Sequence, residues 1–273
     1  MADALLDRLR HITSRQNSLV KELRHASTQA EATSDGYIAV EGVRVLEEAL
    51  RSGLRLKAVF FAESALERAR RLLPQIAAHT ETLSLPDEVF RSCCSTENPQ
   101  GVAALAKLKQ FPTEDVLDAP EPLILGSAGV QDPGNFGTMI RSAEAFGATA
   151  VLAGEGTVSE LNTKVARASA GSLFRLPILH MANADIARKL RDHNIRLAAT
   201  SSHKGVALDE ADLRGPLAIF VGSEGAGVPK ELLGEVDELI VIPHSTRVES
   251  LNVGIAASIL LYEAARQRRR GEG

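Results

Sequence analysis

Tryptophan is absent, and aromatic residues make up only 4% of the 273 positions. The core must therefore be aliphatic, and the 44% hydrophobic content can supply it. The only cysteines, Cys93 and Cys94, are adjacent and match no zinc-ligand spacing. No apolar run reaches the ~18 residues of a membrane span. The opening MADALLDRLRHITSRQ is charged and amphipathic and lacks a signal-peptide apolar region. A reducing, cytoplasmic location is expected. Net charge is −4, from 31 basic and 35 acidic residues, which excludes a general polyanion binder. A nucleic-acid role would require a local basic patch. The first thirty residues carry a mild one: Arg8, Arg10, Arg15, Lys21 and Arg24 against Asp3, Asp7 and Glu22.

Standard chemical signatures are also missing. GSEGAG (222–227) lacks the G-x-G-x-x-G spacing of dinucleotide sites, and GAGVPK (225–230) lacks the interval and Lys-Ser/Thr of a P-loop. No G-x-S-x-G elbow and no metal-spaced cluster of His, Cys, Asp or Glu is present. An enzyme using NAD or a nucleoside triphosphate is disfavoured.

Apolar strands alternating with helical patterns fill the chain, as in α/β proteins. Residues 5–27 read as helical, 37–40 as a strand, 42–53 as a helix stopped by Gly53, and 56–62 as a buried strand. A helix over 64–79, bent or ended near Pro74, precedes a strand at 82–85, a helix over 86–92 and a strand at 101–108. Residues 109–121, rich in proline and acids, read as a linker between a domain at 1–108 and one at 122–273. The second domain has strands at PLILGSA, TAVLA, FRLPIL, IRLAAT, PLAIFV and ELIVIP, with helices between. These near-continuous apolar runs fit a parallel sheet covered by helices on both faces. The last helix, 250–269, ends in RQRRR, cations that complement its dipole.

Three polar turns each follow an apolar strand and open a helix: VQDPGNFGTMIRSAEAFGA (130–148), FVGSEGAGVPKELL (220–233) and IPHSTRVESLNVGIAASILLYE (242–263). Such turns can converge at the carboxyl edge of a sheet, where open α/β sheets bind ligands. Together they offer Asn135, Arg141, Glu224, Ser250 and Asn252. Singly, Asn135, Ser250 and Asn252 suit helix capping, Arg141 a surface ion pair and Glu224 a strand end. As a set they point to a site.

These motifs resemble the SpoU (TrmH-type) branch of the SPOUT RNA methyltransferases. N-x-G-x-x-x-R is Asn135–Arg141, the glycine-Glu-glycine turn is Gly222–Gly227, and I-P…S-L-N-V is Ile242–Val253. RASAGSLFRLPI (167–178) is also typical. Residues 12–108 are similar to the family's smaller L30e-like α/β N-terminal domain, with Gly42, Arg44 and Glu47 in its EG-x-R-x-x-E stretch.

The resemblance implies a deep trefoil knot in the C-terminal domain. It implies S-adenosylmethionine as cofactor, cradled by Gly222, Ile242 and Leu251 with Thr200, Ser223, Gly227 and Asn252 close by. It implies methyl transfer to a ribose 2′-hydroxyl of structured RNA, ribosomal RNA first and transfer RNA second. Arg141 would clamp phosphate and stabilise charge on the 2′-oxygen. Asn135, Glu224, Ser250 and Asn252 would orient the reacting groups. Arg44, Arg15, Lys21 and Arg141 would contact RNA, and a homodimer would form through the last helix. No metal and no membrane enter this reading. The alternatives are a non-catalytic RNA-binding protein on the same scaffold, a small-molecule enzyme using a nucleotide cofactor, or a SPOUT enzyme acting on a base or protein.

The sequence departs from the family pattern at four points. His244 and Thr246 stand at the Met and Gly of I-P-M-x-G, Ser223 at a common Asn, and Gly254 at a frequent Ser. A glycine at 246 would permit a positive φ or close approach to the cofactor.

Overall fold

A computed structural model describes residues 6–271 and divides the chain into two compact units. The first comprises 1–109 and 159–175, the second 110–158 and 176–273.

In the first unit, β1 (Arg10–His11), β4 (Glu81–Leu85), β3 (Arg55–Ala62), β5 (Val102–Lys107) and β2 (Tyr37–Glu41) form a mixed sheet in that order. The central strands are almost wholly buried because both faces are covered. Tyr37, Ala39, Phe60, Leu83 and Leu105 pack with Val20, Leu23 and Ala26 of α1 (Ser18–Gln29) and with Val89 and Phe90 beyond β4. The alternate residues, Ile38, Val40, Val59 and Phe61, point the other way. That face belongs to α2 (Val43–Arg51), which packs on β2 and β5, and α3 (Leu66–Leu72), which packs on β3. A short α4 (Asp87–Arg91), which carries Val89 and Phe90, lies with α1 on the first face.

The N-terminal helix expected over 5–27 is corrected. Residues 1–5 lie outside the described part, Arg10 and His11 pair in parallel with Leu83 and Ser84, and α1 begins only after Asn17. Asn17 Oδ1 accepts from Leu19 N and Val20 N, a side-chain cap that fixes the start. Tertiary pairing with β4 overrides the helical pattern upstream. Pro74 sits within a 3₁₀ turn, Leu73–Gln75, that ends α3.

The second unit is a seven-stranded parallel sheet in the order β10 (Val206–Ala207), β12 (Glu238–Val241), β9 (Arg196–Thr200), β11 (Leu217–Gly222), β6 (Leu123–Ala128), β7 (Ala150–Ala153), β8 (Ile178–His180). One face is covered by α5 (Thr113–Leu117), α8 (Asn183–Asp192) and α9 (Lys230–Leu233), which bury Val116, Ile186, Leu190 and Leu232 against Ile124, Leu197 and Phe220. Two further helices, α6 (Pro133–Ala145) and α10 (Val253–Gly271), pack side by side and bury Met139, Ile140, Leu260 and Leu261. Ser142 and Ser258 share a hydroxyl hydrogen bond of 2.7 Å between them. Gly254 belongs to this contact: a Cβ there would stand 3.3 Å from Thr138 Cγ2.

Three expectations change here. Residues 113–117 are not linker but α5, because Val116 and Leu117 enter the core. FRLPIL is not one strand: Phe174 closes a 3₁₀ turn and pairing starts after Pro177, which has no N–H to donate. Between β9 and β11 the chain forms β10 instead of a helix.

Residues 159–175 include α7 (Thr163–Ala168) and are anchored in the first unit by Glu41, which is 4% exposed. One carboxylate oxygen accepts from Ser27 Oγ, Ser95 N and Ser95 Oγ, the other from Thr96 Oγ1 and, at 3.5 Å, Arg167 Nη1. Arg167 also donates to Thr96 Oγ1 at 2.7 Å. Every lone-pair direction of this buried charge is used. Glu41→Ala leaves those donors unpaired and should lower unfolding free energy by about 2–4 kcal/mol. A urea melt checks this, and Glu41→Gln should lose less.

Candidate active site

Parallel strands place their carboxyl ends along one edge, and three adjacent ones end at the site. β9 ends at Thr200, β11 at Gly222, and β12 at Val241, just before Ile242. A cleft opens there, floored by Val221, Gly222, Ile242 and Leu251 and closed by Val253 and Ala256 of α10. Thr200, Ser201, Ser202, Ser223, Glu224, Gly227, His244 and Ser250 complete it. Eight of the predicted cofactor and catalytic residues thus share one cleft: Thr200, Gly222, Ser223, Glu224, Gly227, Ile242, Ser250 and Leu251.

Gly222 cannot carry a side chain. A Cβ there would stand 1.9 Å from Gly227 C and 2.1 Å from Val228 N, because the 223–227 turn folds back over the strand end. Ser223 and Gly227 bridge across that turn, with Gly227 N donating to Ser223 O at 2.9 Å. Gly225 and Gly227 take φ of 92° and 69°, values that suit glycine.

The turn presents Glu224 to two amides. Asn135 Nδ2 and Asn252 Nδ2 each donate to Glu224 Oε1 at 3.0 Å, and Asn252 Nδ2 donates to Asn135 Oδ1 at 2.9 Å. All three polar turns therefore meet in one closed triangle. Asn252 holds it to the helix: its Oδ1 accepts from Gly254 N at 3.0 Å and Ile255 N at 3.2 Å, capping α10. Asn135 is not a cap. Asp132 caps α6 by accepting from Asn135 N at 2.7 Å, with Pro133 at the first helical position, which leaves the Asn135 amide free for Glu224. The D-P pair was the sequence signal for this arrangement. A second cavity, lined by Gln131, Asp132, Asn135, Ser223, Glu224 and Val253, adjoins the first. Gln131 and Asp132 were absent from the sequence-predicted set.

Arg141 is not in the triangle. It lies on α6, exposed, without a hydrogen bond or ion pair among the described residues. Arg15 and Lys21 flank the start of α1, both exposed, with Arg15 3.9 Å from Glu88. Arg44 stands apart on α2, also exposed.

The departures have local explanations. His244 Nδ1 donates to Ile242 O at 2.7 Å, which holds the ring in the cleft wall. Thr246 is not among the residues with positive φ, so a threonine fits the backbone there.

Asn252→Ala removes the α10 cap and should cost about 1 kcal/mol in a denaturant melt, whereas Asn252→Ser keeps a capping oxygen without adding charge beside Glu224 and should retain most of it. Gly222→Ala should displace the 223–227 turn and lower the thermal midpoint by several degrees, about 1–3 kcal/mol of overpacking.

Sequence comparison supplies the lineage of this arrangement. The SpoU rRNA Methylase family profile matches residues 122–262, and the profile of the MRM3-like substrate binding domain matches 17–104. The chain is 32% identical over 254 residues to the 23S rRNA (guanosine(2553)-2′-O)-methyltransferase RlmP of Bacillus subtilis, covering 93% of this chain and 98% of that one. A crystal structure of an RNA 2′-O ribose methyltransferase superposes with a TM-score of 0.76 at 33% identity, covering 94% and 99% of the two chains. An AdoMet-bound rRNA methyltransferase from Sinorhizobium meliloti superposes at 0.80 with 28% identity, covering 95% and 98%. With three converging turns, the Asn135–Glu224–Asn252 triangle and these matches along nearly its whole length, the chain belongs to the SpoU rRNA methylase family.

Proposed function

We propose that this chain transfers a methyl group from S-adenosylmethionine to a ribose 2′-hydroxyl of structured RNA, most directly ribosomal RNA, with transfer RNA as the second candidate. The observation that carries the reading is the triangle of Asn135, Glu224 and Asn252 at the mouth of the cleft, in a family whose relatives include 2′-O-methyltransferases of 23S rRNA.

The cleft suits the cofactor chemically. Its floor is apolar, its strand ends offer backbone groups, and its lining contains a carboxylate but no lysine or arginine. A cationic sulfonium fits such a lining, and a polyphosphate does not. Gly222, Ile242 and Leu251 would hold the nucleoside, with Thr200, Ser223, Gly227 and Asn252 around them. When bound, S-adenosylmethionine supplies a methyl group already activated on sulfur. The protein's task is alignment of the acceptor oxygen and management of its charge.

The Arg141 guanidinium is a planar fork of N–H donors that matches phosphate geometry. With no side-chain hydrogen bond or ion pair among the described residues, it is available to hold the phosphate beside the acceptor and to offset charge growing on the 2′-oxygen. Asn135 and Ser250 orient the nucleotide at the mouth. Arg44, Arg15 and Lys21 of the first unit are the exposed cations that would contact RNA, where shape and unpaired nucleotides dominate recognition.

A homodimer through α10 is part of the proposal. Ile255, Ile259 and Tyr262 are 54%, 36% and 51% exposed and recur at helical spacing, an apolar stripe that a second copy would cover. The deep trefoil knot and a cytoplasmic setting complete the picture the family suggests. No helix among the described residues is long and apolar enough to cross a membrane.

Labelled methyl transfer to total RNA from a strain lacking the gene tests the reading. Label should enter one ribosomal RNA species and survive as a nuclease-resistant dinucleotide. Arg141→Ala should lower the rate roughly 10²–10³-fold, as for loss of a transition-state charge donor. Its affinity for S-adenosylmethionine, measured by calorimetry, should stay within about threefold of wild type, since the cleft wall is untouched.

A further inference from the structure

The triangle accounts for half of the Glu224 carboxylate. Oε1 takes both amide donors at 3.0 Å, while Oε2 makes no hydrogen bond among the described residues. Glu224 also lines both cavities, the cofactor cleft and the polar cavity bounded by Gln131, Asp132, Asn135 and Ser223. A carboxylate pinned by one oxygen and open at the other, on a wall between two pockets, has the form of an oriented base.

We propose that the second cavity receives the acceptor nucleotide and that Glu224 Oε2 takes the proton of its 2′-hydroxyl, an assignment that rests on the 2′-O-methyl transfer reading above. The other polar groups around the cavities are poorer acceptors. The Arg141 guanidinium carries donors only and has no lone pair to offer. The Asn135 and Asn252 amides are not basic, and both are already engaged with Glu224. Asp132 likewise holds one oxygen in the α6 cap, but it lines only the second cavity and not the cofactor cleft. His244 lines the cofactor cleft but not the second cavity. Glu224 alone among these is anionic, fixed and shared.

The step balances. The 2′-O–H bond breaks and its proton passes to Oε2. The oxygen uses the freed electron pair to bond the methyl carbon, and the methyl–sulfur bond breaks with its pair left on sulfur. The acid form of Glu224 then returns the proton to solvent at the open mouth of the cleft. Asn135 and Asn252 hold the carboxylate's orientation throughout, so Glu224 is the catalytic residue of this step and the two asparagines are positioning residues.

Single-turnover methyl transfer, at saturating cofactor and RNA, tests this with wild type, Glu224→Gln and Glu224→Asp from about pH 6 to about pH 9. Binding of S-adenosylmethionine and of RNA is measured separately. The Gln variant keeps a carbonyl oxygen for both amides, so both affinities should stay within about threefold, while the rate should fall roughly 10²–10⁴-fold. Its residual rate should climb about tenfold per pH unit as hydroxide replaces the missing base, whereas the wild-type profile should stay nearly flat because the protein supplies its own proton acceptor. The Asp variant should restore a flat profile at an intermediate rate.

A Gln variant within about fivefold of wild type overturns the assignment. So does a slow Gln variant with a flat profile, which would make Glu224 a loop support only. If the Gln variant loses cofactor binding, the Asp profile decides: flat supports the proposal, and rising overturns it. A wild type that binds cofactor yet methylates no 2′-hydroxyl defeats the functional reading and this proposal with it. An active wild type beside an active Gln variant defeats the proton assignment alone.

Discussion

One carboxylate oxygen joins the turns that follow three strands of the second sheet. Glu224 Oε1 receives the amides of Asn135 and Asn252, and each belongs to a turn following a different strand. Hydrogen bonds to a charged acceptor are stronger than neutral ones. Here they also relay outward. Asn252 passes the constraint into the first turn of α10, and Asn135 passes it to the turn capped by Asp132. The packing of α10 against α6, through Ser142, Ser258, Thr138 and Gly254, therefore sits directly beneath the site. A shift of α10 would reach the cleft directly, since Val253 and Ala256 line it, and a shift of α6 would reach Glu224 through the Asn135 side chain.

The two units use carboxylates in opposite ways. Glu41 is buried, and both of its oxygens are saturated by hydroxyls, a backbone amide and Arg167. Such a group has nothing left to offer a ligand, and its role is to bind α7 and the 95–96 loop to β2. Glu224 is exposed at the mouth of a cleft, with one oxygen fixed and the other open. Satisfaction of hydrogen-bonding capacity, more than residue type, separates the closed acid from the open one.

The cleft's position follows from parallel-sheet geometry. Strands running the same way must return by crossovers, so their carboxyl ends all carry outgoing turns at one edge. β9, β11 and β12 lie adjacent, although β11 intervenes between β9 and β12 in sequence and β12 pairs on the far side of β9. That order brings Thr200, Gly222 and Ile242 to one cleft from three separate segments. The turn after β11 can fold tightly because Gly222 leaves room for Gly227 and Val228.

Much of this was legible in the chain. Apolar runs marked nearly every long strand, since burial on both faces removes polar positions from them. The three polar turns marked the site, because polar residues beside such strands have no packing role. What sequence did not reveal depended on partners distant along the chain. Residues 10 and 11 became a strand only because β4 offered a free edge, and residues 113–117 became a helix because Val116 and Leu117 found the second core. Asn135 resembled a cap until Asp132 took that place and freed its amide. Composition and periodicity are local quantities, and they determined the class of fold and the kinds of residue at the edge where the cleft opens. Which amide meets which oxygen, and which oxygen is left open, is a matter of distances between segments about a hundred residues apart, and only the tertiary structure decided it.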